Sequence, residues 1–115
     1  MQYMLLIYQN EAGLRQIRDR DITEVTGAYM AYTKAMQEAG ILVAGDRLDR
    51  SANATTVRSE AGKTKVLNGP YAETREQLGG YYIIEVKDLD AALSWAARCP
   101  AAQHGVMEVR PIVKV

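Results

Sequence analysis

The run Tyr81-Tyr82-Ile83-Ile84-Glu85-Val86 reads as a central β-strand, aromatic and β-branched along most of its length. A second run, Tyr3-Met4-Leu5-Leu6-Ile7-Tyr8, is apolar on both alternating sets, Tyr3, Leu5 and Ile7 on one and Met4, Leu6 and Tyr8 on the other. Strands that are apolar on both faces are covered on both sides. A helix follows each of them. Asp21 and Glu24 have the spacing of a capping box, and Ile22, Val25, Tyr29, Tyr32, Met36 and Ala39 then trace one helical stripe up to the terminating Gly40. Gly27 inside this helix hints at close packing. After Val86, Asp88 caps a helix whose Leu89, Ala92, Leu93 and Ala96 form its apolar stripe, and Pro100 ends it.

The remaining segments complete the pattern. Ile41 to Ala44 is a buried strand that runs into Gly45-Asp46-Arg47, which places Asp46 just past the strand end. Thr55 to Ser59 and Lys63 to Leu67 flank Glu60-Ala61-Gly62 as a hairpin with glycine at its turn. Asn68 to Gly79 is a loop broken by Gly69-Pro70 and by Gly79-Gly80, within which Thr74 and Gln77 have the spacing to cap one short helical turn. Val106 to Val115 is the last strand, with Pro111 placing it at an edge or a bulge.

Without the hairpin, two strand–helix–strand units are left, the split βαβ pattern of a ferredoxin-like domain. The expected fold is therefore α+β, an antiparallel sheet with two helices on one face and an inserted β-hairpin. Two helices cover one face only. A second copy of the sheet covers the other most simply, giving a homodimer that closes a barrel-like α/β space.

The bulk composition narrows the functions. A chain of 115 residues makes one domain, 1–115, and its 14 basic and 14 acidic residues cancel, which argues against a nucleic-acid footprint. Arg15, Arg18 and Arg20 are interleaved with Asp19 and Asp21 and read as a solvated face. The single cysteine, Cys99, has no internal disulfide partner. The N-terminal apolar run is too short for a membrane span and lacks the features of a signal peptide, so a reduced cytoplasmic setting is expected.

The run Asn68-Gly69-Pro70-Tyr71-Ala72-Glu73-Thr74-Arg75-Glu76-Gln77-Leu78-Gly79-Gly80 resembles the signature of the DGPF-type branch of the YCII-related family. Ala44-Gly45-Asp46 and the stretch from Cys99-Pro100 through Glu108-Val109-Arg110-Pro111 resemble the same branch. The resemblance implies a ferredoxin-like fold assembled as a dimeric α/β barrel, in a superfamily that includes small-molecule isomerases, monooxygenases and a dehydrochlorinase. It also implies a frequent gene neighbourhood with extracytoplasmic-function sigma factors. Asn68, Tyr71 and Arg75 depart from the motif's aspartate, phenylalanine and lysine. Tyr29 stands where many members of the wider family carry a helix histidine suspected of acid–base chemistry. With a reference pKa of about 10, tyrosine is a poor base at neutral pH, so that proposal does not transfer.

The candidate functional residues follow from chemistry and position. Asp46 is the candidate catalytic carboxylate, with turn capping or pairing to Arg47 as its structural alternative. Tyr29, Asp46, Tyr71, Arg75 and Tyr82 are the ligand-binding candidates. The tyrosines offer an apolar body with a polar tip, and Arg75 a planar fork for a carboxylate or phosphate. Core packing competes for Tyr29, and surface pairing with Glu73 or Glu76 competes for Arg75. The Gly69-Pro70 pair is foremost a turn device. His104, the only histidine, is expected at the surface, and no multi-ligand metal spacing exists. The expected function is small-molecule binding or cofactor-free acid–base catalysis near the dimer seam. The alternative is a regulatory or accessory module that contacts a protein, in association with a sigma factor.

Overall fold

The computed structural model describes residues 1–14 and 19–114. Its elements are β1 (Gln2–Gln9), α1 (Glu11–Leu14), α2 (Asp19–Glu38), β2 (Leu42–Arg47), β3 (Thr55–Glu60), β4 (Lys63–Asn68), β5 (Gln77–Glu85), α3 (Leu89–Arg98) and β6 (Val106–Pro111). The main sheet is antiparallel with strand order β2-β5-β1-β6, and β3-β4 form a separate two-stranded sheet. This is the ferredoxin-like order with the hairpin set outside it.

The alternation in β1 decides which face the helices cover. Tyr3, Leu5 and Ile7 are buried, while Met4, Leu6 and Tyr8 are only half-buried. In register with them, Tyr82 and Ile84 of β5 and Met107 and Val109 of β6 share the helix-covered face. Tyr32 and Met36 of α2 and Ala92 and Ala96 of α3 close the core over that face. The Tyr32 hydroxyl donates to the Trp95 carbonyl at 2.7 Å, satisfying one of the acceptors that the last turn of α3 leaves open. The opposite face carries Met4, Leu6, Tyr81 and Ile83 and has neither helix over it. The molecule is accordingly thin, about 48 × 43 × 18 Å, the depth of one sheet and one helix layer.

Several segments differ from the sequence reading. β5 begins at Gln77, so Gly79 and Gly80 lie inside the strand and the expected helical turn at Thr74 and Gln77 is absent. There Gln77 Nε2 donates to the Thr74 carbonyl, and Thr74 Oγ1 donates to the Glu76 carbonyl. The physical reason is pairing. Gly79 is the bulge residue against Ile7 and Tyr8, and Gly80 meets Arg47 so closely that a Cβ on it would lie 2.9 Å from the Asp46 carbonyl. The same pairing carries β2 through Gly45, Asp46 and Arg47, so Asp46 is in the strand rather than beyond it.

The helices differ in detail too. α2 starts at Asp19, so Asp21 lies within the helix rather than capping it, and Arg15 and Arg18 of the Arg15, Arg18 and Arg20 cluster lie outside the described residues. Gly27 is not a close contact, because a Cβ there would meet nothing within 4 Å. Asp88 caps α3 as expected, accepting from the Ala91 amide at 2.9 Å. The buried stripe of α3 is rotated from the expected one: Ala92 and Ala96 are buried, while Leu89 and Leu93 are each 47% exposed. Alanines let the helix approach the sheet, and the leucines flank that contact. β6 stops at Pro111, at the sheet edge, and His104 is exposed.

The hairpin turns at Ala61 and Gly62, both with positive φ, as a two-residue connection requires. Its base is tied by Gly69, at φ 101°, whose amide donates to the Ala54 carbonyl at 2.7 Å while its carbonyl accepts from Thr56 Oγ1 at 2.8 Å. The Gly69-Pro70 stretch is thus a backbone device that returns the chain from the hairpin toward β5.

Candidate functional site

Gly45 shapes the floor of a groove between α2 and the β2–β5 edge of the sheet. A Cβ at residue 45 would lie 2.6 Å from Cδ1 of Tyr82. The Tyr82 ring therefore lies across β2 only because residue 45 has no side chain. That ring is fixed from above, its hydroxyl 2.9 Å from Thr33 Oγ1 on α2 and its edge against Tyr32 at a centroid separation of 5.5 Å.

The resulting groove has a volume of about 950 Å³. Its apolar lining includes Ile7, Val25, Met30, Leu42 and Tyr82, and its polar lining includes Gln9, Tyr29, Thr33 and Gln37. Lys34, Asp46 and Arg47 supply its charges. Gly79 and Gly80 leave part of its floor as bare backbone. A concave, largely apolar space with a few convergent polar groups is the usual form of a small-molecule site. Met30, 68% exposed on the wall of this space, has no structural task in the core.

The tyrosines here are neutral hydrogen-bonding groups. Burial pushes the Tyr29 and Tyr82 hydroxyls above the ordinary phenol range. Tyr29 accepts from Gln9 Nε2 at 3.0 Å. Tyr81 lies on the opposite face of β5 and donates to Asp46 Oδ2 at 2.8 Å, and that bond raises its pKa. All of these phenols keep their protons at neutral pH, so they orient a ligand rather than deprotonate one. Asp46 borders the groove while its carboxylate is engaged on the open face of the sheet.

Of the sequence candidates, Tyr29, Asp46 and Tyr82 are brought together around the groove. Tyr71 and Arg75 stand apart from it. Tyr71 is 78% exposed with the Arg58 guanidinium 5.5 Å from its ring centroid, and Arg75 is exposed on the loop before β5. The reason is the early start of β5, which holds that loop at the hairpin base. Sequence reasoning missed Met30, Thr33, Lys34, Gln37 and Arg47. Met30, Thr33 and Gln37 follow one another at helical spacing beside the core stripe of α2, and an apolar Met30 off that stripe was the available signal. Among the described residues, no group of three or more His, Cys, Asp or Glu side chains could hold a metal ion.

Beside Tyr29, Cys99 is buried and its thiol pKa is raised by that burial. Groups whose folded pKa lies above the unfolded value contribute stability below the unfolded pKa and lose it as pH rises toward the folded one. Cys99, Tyr29 and Tyr32 all have this sign. Urea unfolding is therefore expected to show lower stability at pH 10 than at pH 7.5, with the loss beginning near the free-thiol pKa of about 8.5. Equal midpoints at the two pH values would contradict this account.

The sheet order, the two helices on one face and the groove at the β2 edge define a ferredoxin-like α+β domain with a candidate small-molecule site. The chain belongs to the YCII-related domain family, whose model matches residues 1–115. It is 37% identical over 114 residues to an uncharacterised protein of Rhizobium meliloti (strain 1021), a match covering 97% of this chain and 92% of that protein. Among solved structures it is similar to 5-chloro-2-hydroxyhydroquinone dehydrochlorinase (TftG) from Burkholderia phenoliruptrix AC1100, in complex with 2,5-dihydroxybenzoquinone. That similarity has a TM-score of 0.55 at 14% identity and covers 98% of this chain and 94% of the other, which establishes a shared fold. Among the described residues, no helix is long and apolar enough to cross a membrane.

Proposed function

We propose that this chain is a small-molecule-binding protein whose ligand occupies the groove between α2 and the β2–β5 edge, in a homodimer formed through the open sheet face. The groove carries the reading: about 950 Å³ of mostly apolar space, with Tyr82 as its floor and Met30 exposed on its wall. The similarity to a dehydrochlorinase solved in complex with 2,5-dihydroxybenzoquinone supports a small organic ligand. Cofactor-free acid–base chemistry is the catalytic form of the proposal, although the expected base, Asp46, has its carboxylate on Tyr81 at the open sheet face, away from a ligand in the groove. The open face, with Met4, Leu6, Tyr81 and Ile83 and neither helix above it, supports the homodimer.

The methionine methyl groups test the reading. In protein labelled with ¹³C at the methionine methyls, a fragment library is expected to shift the Met30 signal and leave the core Met36 signal in place. Hits that move other methyls but never Met30 would remove the groove from consideration. Sedimentation at micromolar concentration reports on the homodimer, and a monomer there refutes it.

A second reading has one observation in its favour. The hairpin exposes Val57 (65%), Val66 (60%) and Leu67 (60%), and Tyr71 follows it at 78%. A two-stranded hairpin is marginal by itself, so an apolar surface on it suits a protein contact and the accessory-module alternative. Ligand binding that survives loss of these side chains separates the two readings.

A further inference from the structure

The groove's neutral polar groups largely satisfy one another. Thr33 and Tyr82 share one hydrogen bond, and Gln9 donates to Tyr29. Asp46, the lone carboxylate among the described lining residues, already accepts from Tyr81 on the other face of the sheet. The two cations among the described lining residues are differently placed. Arg47 ends β2 opposite Gly80 and forms no ion pair within 4 Å among the described residues; the fully exposed Asp49 carboxylate interacts with it only through solvent-screened charge. Lys34 has Glu38 at 3.9 Å, with both side chains largely exposed, so the pair holds neither group strongly. The binding capacity that the groove leaves uncommitted is therefore cationic, beside an apolar wall and an aromatic floor.

We propose that the groove takes an organic anion, with a flat apolar body against Tyr82, Met30 and Leu42 and a carboxylate or similar oxyanion on the Arg47 fork, assisted by Lys34. This rests on the groove being the ligand site and adds the class of molecule it selects. Arginine fits this task because its planar fork meets a carboxylate through two parallel hydrogen bonds. The apolar body supplies contact area, and the anion supplies selection against neutral molecules of the same shape.

The test compares 2-naphthoate with 2-naphthamide, which share a body and differ in charge, read by the Met30 methyl signal and by calorimetry at low salt. Naphthoate is expected to bind at least about tenfold more tightly than the amide. Arg47→Gln is expected to remove most of that preference by weakening naphthoate far more than the amide, and Lys34→Gln to reduce it less. Salt weakens the naphthoate complex only. Equal affinities for the two compounds, both shifting Met30, would overturn the anion proposal and leave the groove reading standing. Binding of both compounds with no effect at Met30 would overturn the groove reading as well. A preference for naphthoate that survives Arg47→Gln and Lys34→Gln together, with the fold intact by circular dichroism, would also sink the assignment.

Discussion

Gly105→Ala is expected to destabilise the protein by about 3 kcal/mol, an effect in the overpacking range and reinforced because the obstacle is backbone. A Cβ on residue 105 would lie 2.2 Å from the Tyr8 carbonyl oxygen and 3.3 Å from its carbon. Neither atom belongs to a flexible side chain that could swing aside. Gly105 stands at the entrance to β6, next to the Tyr8–Val106 pair that opens the β1–β6 ladder, and its amide donates to the Ala101 carbonyl at 2.7 Å. Relief requires moving the start of β6 away from β1, at the expense of both. For a domain of this size the melting temperature should fall by roughly 10 °C. Gly27→Ala is the contrast, since a Cβ in that exposed part of α2 meets nothing within 4 Å. It should raise stability by up to about 1 kcal/mol through helix propensity. Equal melting temperatures for the two variants would show that the clash is relieved freely.

The second large effect is expected at Leu5. Its side chain is fully buried at the centre of the sheet, between Tyr82 of β5 and Val109 of β6, and beneath the helices. Leu5→Ala removes several methyl and methylene groups and leaves a cavity that strands fixed on both sides cannot collapse, at about 3 kcal/mol. Its neighbour Leu6 makes the experiment more informative. Leu6 faces the open side of the same strand and is only half-buried in a single chain. Leu6→Ala should cost about 1 kcal/mol if that face is bare, and nearly as much as Leu5→Ala if a second copy covers it. Denaturant titrations of both variants at micromolar and lower protein concentrations distinguish the cases, because dimer stability depends on protomer concentration. A Leu5→Ala variant as stable as the parent would contradict the core assignment.

Much of this architecture was legible in the residues. Apolar side chains on both faces of β1 and β5 identified the central strands, and the Ala61-Gly62 turn identified the hairpin. Asp88 marked the start of α3. The candidate groove was legible in part. Tyr29, Asp46 and Tyr82 were named from chemistry and position, and they border one groove. Tyr71 and Arg75 were named on the same grounds and lie elsewhere. Nothing local distinguished the two groups. Whether a polar side chain lines a cavity depends on what stands across from it, and that partner is far away in sequence. Arg47 was named only as a partner for Asp46 and not as a lining residue for the same reason, since its position depends on Gly80 pairing with it from β5.

The double-glycine stretch shows where the boundary falls. As residues, Gly79-Gly80 are equally good as a loop break or as a bulge within a strand. Only the approach of the Asp46 carbonyl to Gly80, 2.9 Å from where a Cβ would stand, makes the strand the outcome. Alternation, turn chemistry and caps are properties of neighbours along the chain, so the sequence by itself determined the order of elements, the ferredoxin-like pattern and the family. The register of β2 on β5, the rotation of α3 and the groove under Met30 are set by contacts between distant segments. Packing decides those, and only the folded chain displays it.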